Sequence, residues 1–239
     1  MISNLNWREA GALDAAIVDL DGTMVDTLGD FEAALNLMLA DLQLSGISKP
    51  LIEKLVGKGS EHLIKSVLRH VLGGEGQVDL RQLDLRFPDA WASYQRHYLV
   101  INGSCSDVYP GVVEGLIQLR ERGLKLACLT NKPAAFAKPL LEAKGLTSYF
   151  SAVFGGDSFE RKKPDPLPLL RTCEALDTIP ARTLMLGDSS NDAQAARAAG
   201  CPVVLVTYGY NHGEPVRQVD ADGWIDRLDE LVLTKKPLA

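Results

Sequence analysis

Short apolar segments alternate with amphipathic segments of helical spacing along most of this 239-residue chain. This alternation predicts an α/β fold, in which a Rossmann-like parallel sheet is covered by helices on both faces. Ligands of such sheets bind beyond the carboxyl ends of the strands, so we expect the functional site there. The predicted strands are residues 15–18, 124–129, 152–154, 183–186 and 203–206, and the predicted helices are 112–122, 133–144, 166–176 and 191–199.

One long segment, residues 27–102, interrupts this alternation. It has apolar residues at helical spacing in residues 28–42, 49–56, 61–72 and 89–100, with a loop expected at 73–77 and no strand between them. We therefore expect an α/β catalytic core formed by residues 1–26 and 103–239, with 27–102 inserted as a helical cap domain. Such an insertion is either a bundle that simply packs or a lid over the turn that precedes it.

Composition and charge exclude several classes of protein. The net charge is −6 and the basic residues are scattered, which argues against a nucleic-acid partner. No apolar run approaches the roughly 18 residues of a membrane helix, and the first residues lack the pattern of a signal peptide. The four cysteines have no metal or redox spacing, so we expect free thiols and a cytoplasmic location.

The first polar cluster, Asp19-Leu20-Asp21-Gly22-Thr23, directly follows the first predicted strand. Residues two apart in a strand point to the same side, so the two carboxylates would repel each other unless a cation neutralised them or one were protonated. The pair therefore suits one ionised nucleophile or metal ligand beside one protonated acid. The alternative is an aspartate-rich turn closed by Gly22.

Three further clusters also lie at predicted strand ends or in stiffened loops. Thr130 and Asn131 precede a helix whose N-terminus suits phosphate, although either could merely cap that helix. Lys163 precedes a proline that could fix its position, or it is a solvated loop lysine. Asp188 and Asp192 lie four apart at the start of another helix, where Asp192 alone would favour the helix dipole.

Together the four clusters offer carboxylates for a hard cation, polar groups for phosphoryl oxygens and one positive charge. Mg²⁺ binds through a few carboxylates and shares the substrate phosphate. Ionised Asp19 and Asp188, Mg²⁺, a bound phosphate and Lys163 bring the site close to neutral if Asp21 is protonated. We therefore expect Mg²⁺ as cofactor and a substrate that carries a phosphate group.

The ordered strings DLDGT, LTNK, KKP and GDSSND resemble the four motifs of the haloacid dehalogenase superfamily, and the inserted helices match its cap position. The resemblance implies that Asp19 is the nucleophile and that Asp21 is the acid and then the base. It also implies that Mg²⁺ is held by the carboxylates of Asp19 and Asp188 and the main-chain carbonyl of Asp21. A carboxylate at position 21 is absent from the dehalogenases of the superfamily, so the resemblance favours a phosphatase.

The same resemblance assigns the phosphoryl oxygens to Thr130 and Lys163, and a supporting role near the metal to Asp192. The strings VGKGSEHLI, GGDSFERKKPDPLPLL and TYGYNHGE are similar to the phosphoglycolate phosphatase family. This similarity implies hydrolysis of 2-phosphoglycolate through an aspartyl-phosphate intermediate.

The alternatives are a phosphatase for another small phosphomonoester, a phosphosugar mutase on the same scaffold, and a binding protein without catalysis. We expect the cap loop to set substrate specificity. Gly57 and Gly59 permit close approach to a ligand, and Lys58 could bind the substrate carboxylate unless it is only a solvated connector. The sequence does not predict an oligomeric state.

Overall fold

The computed structural model describes residues 13–73 and 80–233, and its core is a six-stranded parallel sheet. The strand order is β5-β4-β1-β6-β7-β8, which confirms the predicted α/β fold with a Rossmann-like sheet. The strands are β1 (Ala15–Val18), β4 (Lys125–Leu129), β5 (Ala152–Phe154), β6 (Thr183–Gly187), β7 (Val203–Val206) and β8 (Gly223–Ile225).

Strand β1 occupies the centre of the sheet because its four residues are apolar and fully buried. It pairs with β4 on one side and β6 on the other, with Val18 aligned to Cys128 and Leu186. The chain fills one side of the sheet with β4 and β5 before it crosses to β6. The carboxyl end of β1 therefore lies at the switch point, where a crevice opens between diverging connections.

Helices cover both faces of this sheet, as the alternation predicts. On one face, α5 (Val112–Glu121) and α6 (Ala134–Ala143) share a buried apolar cluster with the strands. On the other face, α7 (Leu167–Ala175) and α8 (Ser190–Ala199) share a second cluster. Successive strand residues alternate between the two clusters, as the side-chain period of a strand requires.

The helices of the interrupting segment form their own apolar cluster beside the sheet. They are α1 (Leu28–Asp41), α2 (Lys49–Leu55), α3 (Ser60–Gly73) and α4 (Leu80–Ile101). Their cluster also takes in Phe136 and Tyr210 from the sheet-bearing part of the chain. The apolar contact therefore continues across the interface between the two parts.

Some predicted boundaries were wrong. Helix α4 begins at Leu80 rather than at residue 89, because Pro88 lies inside the helix instead of starting it. Helix α7 begins at Leu167, and Asp165 Oδ1 accepts a hydrogen bond from the Leu167 main-chain N–H at 2.9 Å. The expected loop at 73–77 lies largely outside the described residues, and Gly73 itself belongs to α3.

Two very short strands and the last strand of the sheet were not predicted. Strands β2 (Val25–Asp26) and β3 (Asp107–Val108) pair antiparallel where the chain leaves for α1 and returns from α4. Two or three residues are too few to show a strand period, so the sequence pattern contains no signal for them. This two-stranded ribbon holds side by side the two points where the chain enters and leaves the inserted helices.

Asp30 ties the two crossings together. Its side chain is fully buried, and its carboxylate accepts hydrogen bonds from the main-chain N–H groups of Gly103 and Cys105, both at 2.7 Å. A carboxylate that accepts from two N–H groups is strongly held, because the negative charge strengthens both hydrogen bonds. The start of α1 is thus bound to the segment that follows α4.

The cysteines agree with the prediction of free thiols. Cys128, Cys173 and Cys201 are buried and Cys105 is exposed, and all four are free. The cytoplasmic location inferred from them stays a prediction. Within residues 13–73 and 80–233, no helix has the length and apolar character required to cross a membrane.

We predict that Asp30→Asn lowers the free energy of unfolding by about 1–3 kcal/mol, because an amide oxygen replaces the charged acceptor and an NH₂ group faces an N–H donor. Urea denaturation of the purified variant measures this. Glu32→Gln removes one acidic charge from the same helix and serves as the control. Equal stability of the two variants would contradict the role of Asp30.

Candidate active site

Three carboxylates converge where β1 and β6 end. Asp19 follows β1, Asp188 follows β6, and Asp192 lies in the first turn of α8. One oxygen from each lies within 4.8 Å of the others, and all three residues are buried. The parallel pairing of β1 with β6 thus brings together the carboxylates of the first and fourth sequence clusters.

Lys163 supplies the positive charge among these carboxylates. Its ammonium lies 3.0 Å from Asp19 Oδ1 and 2.7 Å from Asp192 Oδ1, and donates to the Leu129 carbonyl at 2.9 Å. These contacts use its three N–H donors. Lys163 is buried and Lys162 is exposed, so the lysine that precedes Pro164 is the one brought to the site.

The electrostatics of this cluster call for a further cation. Burial raises the pKa of Asp19 to about 7, with Lys163 opposing and Asp192 reinforcing the shift. Burial, together with Asp192 and Asp19, raises the pKa of Asp188 well above its usual range. Burial alone would lower the pKa of Lys163, but Asp19 and Asp192 raise it. A divalent cation among these oxygens would stabilise the ionised carboxylates, so the donor set fits one.

Asp192 has less freedom to bind a metal than its two neighbours. Its Oδ1 accepts from Lys163, and its Oδ2 accepts from the Ser189 hydroxyl at 2.9 Å and the Ser189 main-chain N–H at 3.1 Å. Ser189 and Asp192 form a capping box at the start of α8. Asp192 is therefore placed to orient Lys163 and the Asp188 loop, and the supporting role near the metal that the resemblance implies stays a prediction.

Two glycines let the chain pack directly against Asp188. A Cβ built on Gly209 would lie 2.2 Å from the Asp188 Cβ, and a Cβ on Gly22 would lie 2.4 Å from Asp188 Oδ2. The main-chain N–H of Tyr210 donates to Asp188 Oδ2 at 2.7 Å, which fixes the carboxylate. The sequence analysis did not single out Gly209, although this residue belongs to the string TYGYNHGE.

The second sequence cluster lies across a cavity that Asp19, Asp21 and Asp188 also line. Thr130 and Asn131 follow β4, and both are buried and line the cavity. The Asn131 side-chain NH₂ donates to the carbonyls of Lys163 at 2.8 Å and Gly57 at 3.0 Å. Asn131 thus supports the lysine loop and the cap loop, and its phosphate-binding role stays a prediction. The same holds for Thr130, whose hydroxyl accepts from the Lys132 main-chain N–H at 3.2 Å.

Lys132 is the main side chain that the sequence analysis missed. Its ammonium lies 3.0 Å from Asp21 Oδ1 and donates to the Tyr98 hydroxyl at 2.5 Å. It also faces the rings of Phe31 and Tyr98, with distances to the ring centroids of 4.6 and 4.7 Å. The string LTNK contains this lysine, but the sequence does not show that aromatic residues of α1 and α4 lie over it.

The loop between α2 and α3, residues 56–59, is the predicted cap loop and is held by main-chain contacts. The Gly57 carbonyl accepts from Asn131 and from Asn191 at 3.1 Å, and the Val56 carbonyl lies 2.8 Å from His212 Nδ1. Asn191 also lies 3.1 Å from His212 Nε2. A Cβ on Gly57 would lie 2.8 Å from the His212 ring, so this glycine lets the loop pack against His212. The close approach to a ligand that the sequence predicts for Gly57 stays a prediction.

Lys58 is placed differently from Gly57 and Gly59. Both glycines line the cavity. Lys58 is exposed and is not among the described residues that line the cavity. The cavity has a volume of about 30 Å³, room for about two water-sized groups. Its wall combines the polar residues above with Phe31 and Leu63 of the cap helices. The structure therefore does not bring the Lys58 side chain to the site.

Comparison with known proteins agrees with this geometry. Residues 13–200 match the family model of haloacid dehalogenase-like hydrolases. A phosphoglycolate phosphatase of Thiobacillus denitrificans is 43% identical over 92% of this chain and 95% of its own length. Another, from Nitrosospira multiformis, is 44% identical over 91% of this chain and 93% of its own.

A solved structure is similar as well. The crystal structure of a predicted phosphoglycolate phosphatase from Haemophilus somnus 129PT matches with a TM-score of 0.85 and 32% identity. The match covers 91% of this chain and 96% of that one. The chain therefore belongs to the haloacid dehalogenase-like hydrolases, and its likeness to these relatives places it among the phosphatases of that family.

We predict that Gly209→Ala weakens divalent-cation binding by about tenfold or more, because the new Cβ displaces the Asp188 carboxylate. Titration of activity with Mg²⁺ and Mn²⁺ measures the shift. Glu142→Ala, at an exposed position of α6, is the control. An unchanged metal requirement in Gly209→Ala would remove Asp188 from the cation site.

A second prediction concerns pH. Burial and the nearby positive charge of Lys58 lower the pKa of His212 below 6.5, so the position of this side chain favours the neutral ring. The neutral Nε2 accepts from the Asn191 side chain, and this bond is lost as the pH falls below 6.5 through the lowered pKa, whereas Nδ1–H keeps its bond to the Val56 carbonyl. We expect the KM of the wild type to rise more steeply between pH 6.5 and 5 than that of His212→Asn. Parallel KM profiles would contradict this.

Proposed function

We propose that this protein is a Mg²⁺-dependent phosphatase that hydrolyses 2-phosphoglycolate to glycolate and phosphate through a phosphoryl group carried on Asp19. The observation that carries the proposal is the placement of Asp19 and Asp21 at the end of β1, with Asp19 paired to Lys163 at 3.0 Å and Asp21 paired to Lys132 at 3.0 Å. The names of the relatives support the choice of substrate.

The cation would be held by the carboxylates of Asp19 and Asp188 and by the main-chain carbonyl of Asp21. When bound, Mg²⁺ neutralises negative charge on the phosphoryl oxygens and on the carboxylates around them. Asp192 stays bonded to Lys163 and Ser189 and keeps both in position.

In the first half-reaction, the Asp19 carboxylate attacks phosphorus and the bond between phosphorus and the ester oxygen breaks. Asp21, in its protonated form, gives its proton to the departing glycolate oxygen. Lys163, which gives up its contact with Asp19 to do so, and Thr130 hold the equatorial phosphoryl oxygens as the charge on them redistributes. Covalent catalysis thus divides one difficult displacement into two easier ones.

In the second half-reaction, a water molecule attacks the phosphoryl group on Asp19 and gives a proton to the Asp21 carboxylate. The bond between phosphorus and Asp19 breaks, inorganic phosphate leaves, and both aspartates return to their initial states. Atoms and protons balance over the two halves, since the proton that glycolate receives is replaced by the one from water.

We propose that residues 27–102 act as the cap domain over this site, with the hinge at the β2–β3 ribbon. Phe31, Ser60 and Leu63 from these helices line the cavity beside Asp19 and Asp21. An enclosed site excludes bulk water from the developing charge. Because the cavity has room for only about two water-sized groups, the cap helices would have to move apart to admit the substrate.

The proposal is tested by phosphate release from 2-phosphoglycolate with and without Mg²⁺. We predict that Asp19→Asn lowers kcat by on the order of 10³ or more, because an amide is a poor nucleophile. Asp21→Asn should lose turnover comparably but retain Mg²⁺ affinity, since its main-chain carbonyl is unchanged. The control is Asp220→Asn, which should retain activity. Asp220 is exposed and pairs with Arg197 of α8.

Two results would overturn the proposal. The first is wild-type enzyme that releases no phosphate from 2-phosphoglycolate with Mg²⁺. The second is Asp19→Asn with the turnover of Asp220→Asn, which would show that phosphate release does not pass through Asp19.

A further inference from the structure

Two buried lysines, Lys163 and Lys132, reach the active site, and they differ in their hydrogen-bond partners and in whether they line the cavity. The three N–H donors of Lys163 go to Asp19, Asp192 and the Leu129 carbonyl. Lys163 is not one of the described residues that line the cavity. Lys132 does line it. Lys132 is therefore the cation that faces a substrate on the side of Asp21.

The surroundings of Lys132 leave one of its contacts open to exchange. The side chain is 1% exposed, and its ammonium donates to the Tyr98 hydroxyl at 2.5 Å and to the two carboxylate oxygens of Asp21 at 3.0 and 3.3 Å. The longer contact with Asp21 is the weakest of the three, so the N–H group that makes it can turn to a substrate acceptor while the other two contacts stay. The flanking aromatic faces of Phe31 and Tyr98 offer no strong acceptor and keep water away.

The substrate carries a second anion at a fixed distance from the reacting oxygen. In 2-phosphoglycolate, one carbon separates the ester oxygen from the carboxylate carbon, which places a carboxylate oxygen about 3 Å from the ester oxygen. Asp21 must come within about 2.7 Å of that ester oxygen to protonate it. Because Lys132 lies 3.0 Å from Asp21, the same ammonium is within reach of the substrate carboxylate.

We infer that Lys132 is the specificity-determining residue that binds the carboxylate of the substrate, an inference that rests on the proposed function. The charge-assisted hydrogen bond forms in a water-poor enclosure, where it is stronger than at the surface. A substrate without the carboxylate offers this N–H group nothing better than the Asp21 oxygen at 3.3 Å, so that substrate gains no charge-assisted hydrogen bond on binding. The exposed Lys58 does not make this contact.

Recognition of the carboxylate is tied to the cap helices. Tyr98 belongs to α4 and Phe31 to α1, whereas Lys132 and Asp21 belong to the strand-end loops of the sheet. The enclosure around the ammonium is complete only while these helices lie over the loops. Lys132 therefore binds the substrate carboxylate in the same closed state in which Asp21 transfers its proton.

The experiment compares two substrates that differ only in this group. The first is 2-phosphoglycolate, and the second is 2-hydroxyethyl phosphate, in which an uncharged CH₂OH replaces the carboxylate. Steady-state kinetics with Mg²⁺ are measured for the wild type, Lys132→Met and the matched control Lys58→Met. The quantity of interest is the preference, the ratio of the two kcat/KM values.

We predict that the wild type prefers 2-phosphoglycolate by on the order of 10- to 100-fold. Lys132→Met should reduce this preference to about one, mainly through a higher KM for 2-phosphoglycolate, while Lys58→Met keeps it. The inference is overturned if Lys132→Met lowers kcat/KM equally for both substrates, because Lys132 then only supports Asp21. It is also overturned if Lys58→Met abolishes the preference.

The failure of this inference differs from the failure of the proposed function. Wild-type hydrolysis of both substrates at equal kcat/KM overturns the inference alone, whereas hydrolysis of neither overturns the proposed function. If circular dichroism shows that Lys132→Met does not fold, Tyr98→Phe takes its place, since it keeps the ring and removes the hydroxyl that orients the ammonium. It should lower the preference several-fold, and an unchanged preference would overturn the inference.

Discussion

The burial of three carboxylates around one ammonium, at the carboxyl ends of β1 and β6, is the arrangement on which the rest of the structure depends. Such a cluster is unfavourable by itself, because removing charge from water costs more than one ion pair returns. The fold holds it in place with main-chain donors and with glycines that allow the chain to close around Asp188. The fold thus keeps ready for a cation a set of oxygens that repel one another in its absence.

The second part of the molecule is organised around a different buried lysine. Lys132 joins Asp21 of the sheet-end loops to Tyr98 of α4, and the rings around it continue into the apolar cluster of the inserted helices. In the mechanism proposed above, the phosphate and the rest of the substrate are therefore bound by two different lysines. Lys163 belongs to the sheet alone, while the surroundings of Lys132 require both parts of the chain.

Much of this arrangement was predictable from the sequence, because parallel strands bring their carboxyl ends together whatever lies between them. The strands that precede Asp19, Thr130 and Asp188 were read from short apolar runs, and their pairing accounts for the meeting of these residues. The ribbon of β2 and β3 and the enclosure of Lys132 were not predictable, since two-residue strands have no period and contacts between α4 and a distant loop leave no local pattern. Lys58 was chosen for its charge and its flanking glycines, but a side chain between glycines is free to point outward, and here it does.

The contact that holds the cap loop has a consequence for how this enzyme could change. Within the part of the chain that the structure describes, Asn131, Asn191 and His212 bind the carbonyl groups of Gly57 and Val56 and no side chain of that loop. The position of the loop is therefore set through the path of its main chain. Outward-facing positions such as Lys58 are open to substitution without loss of these contacts, so new surface properties or fusion points could be introduced there while the site beneath is left intact.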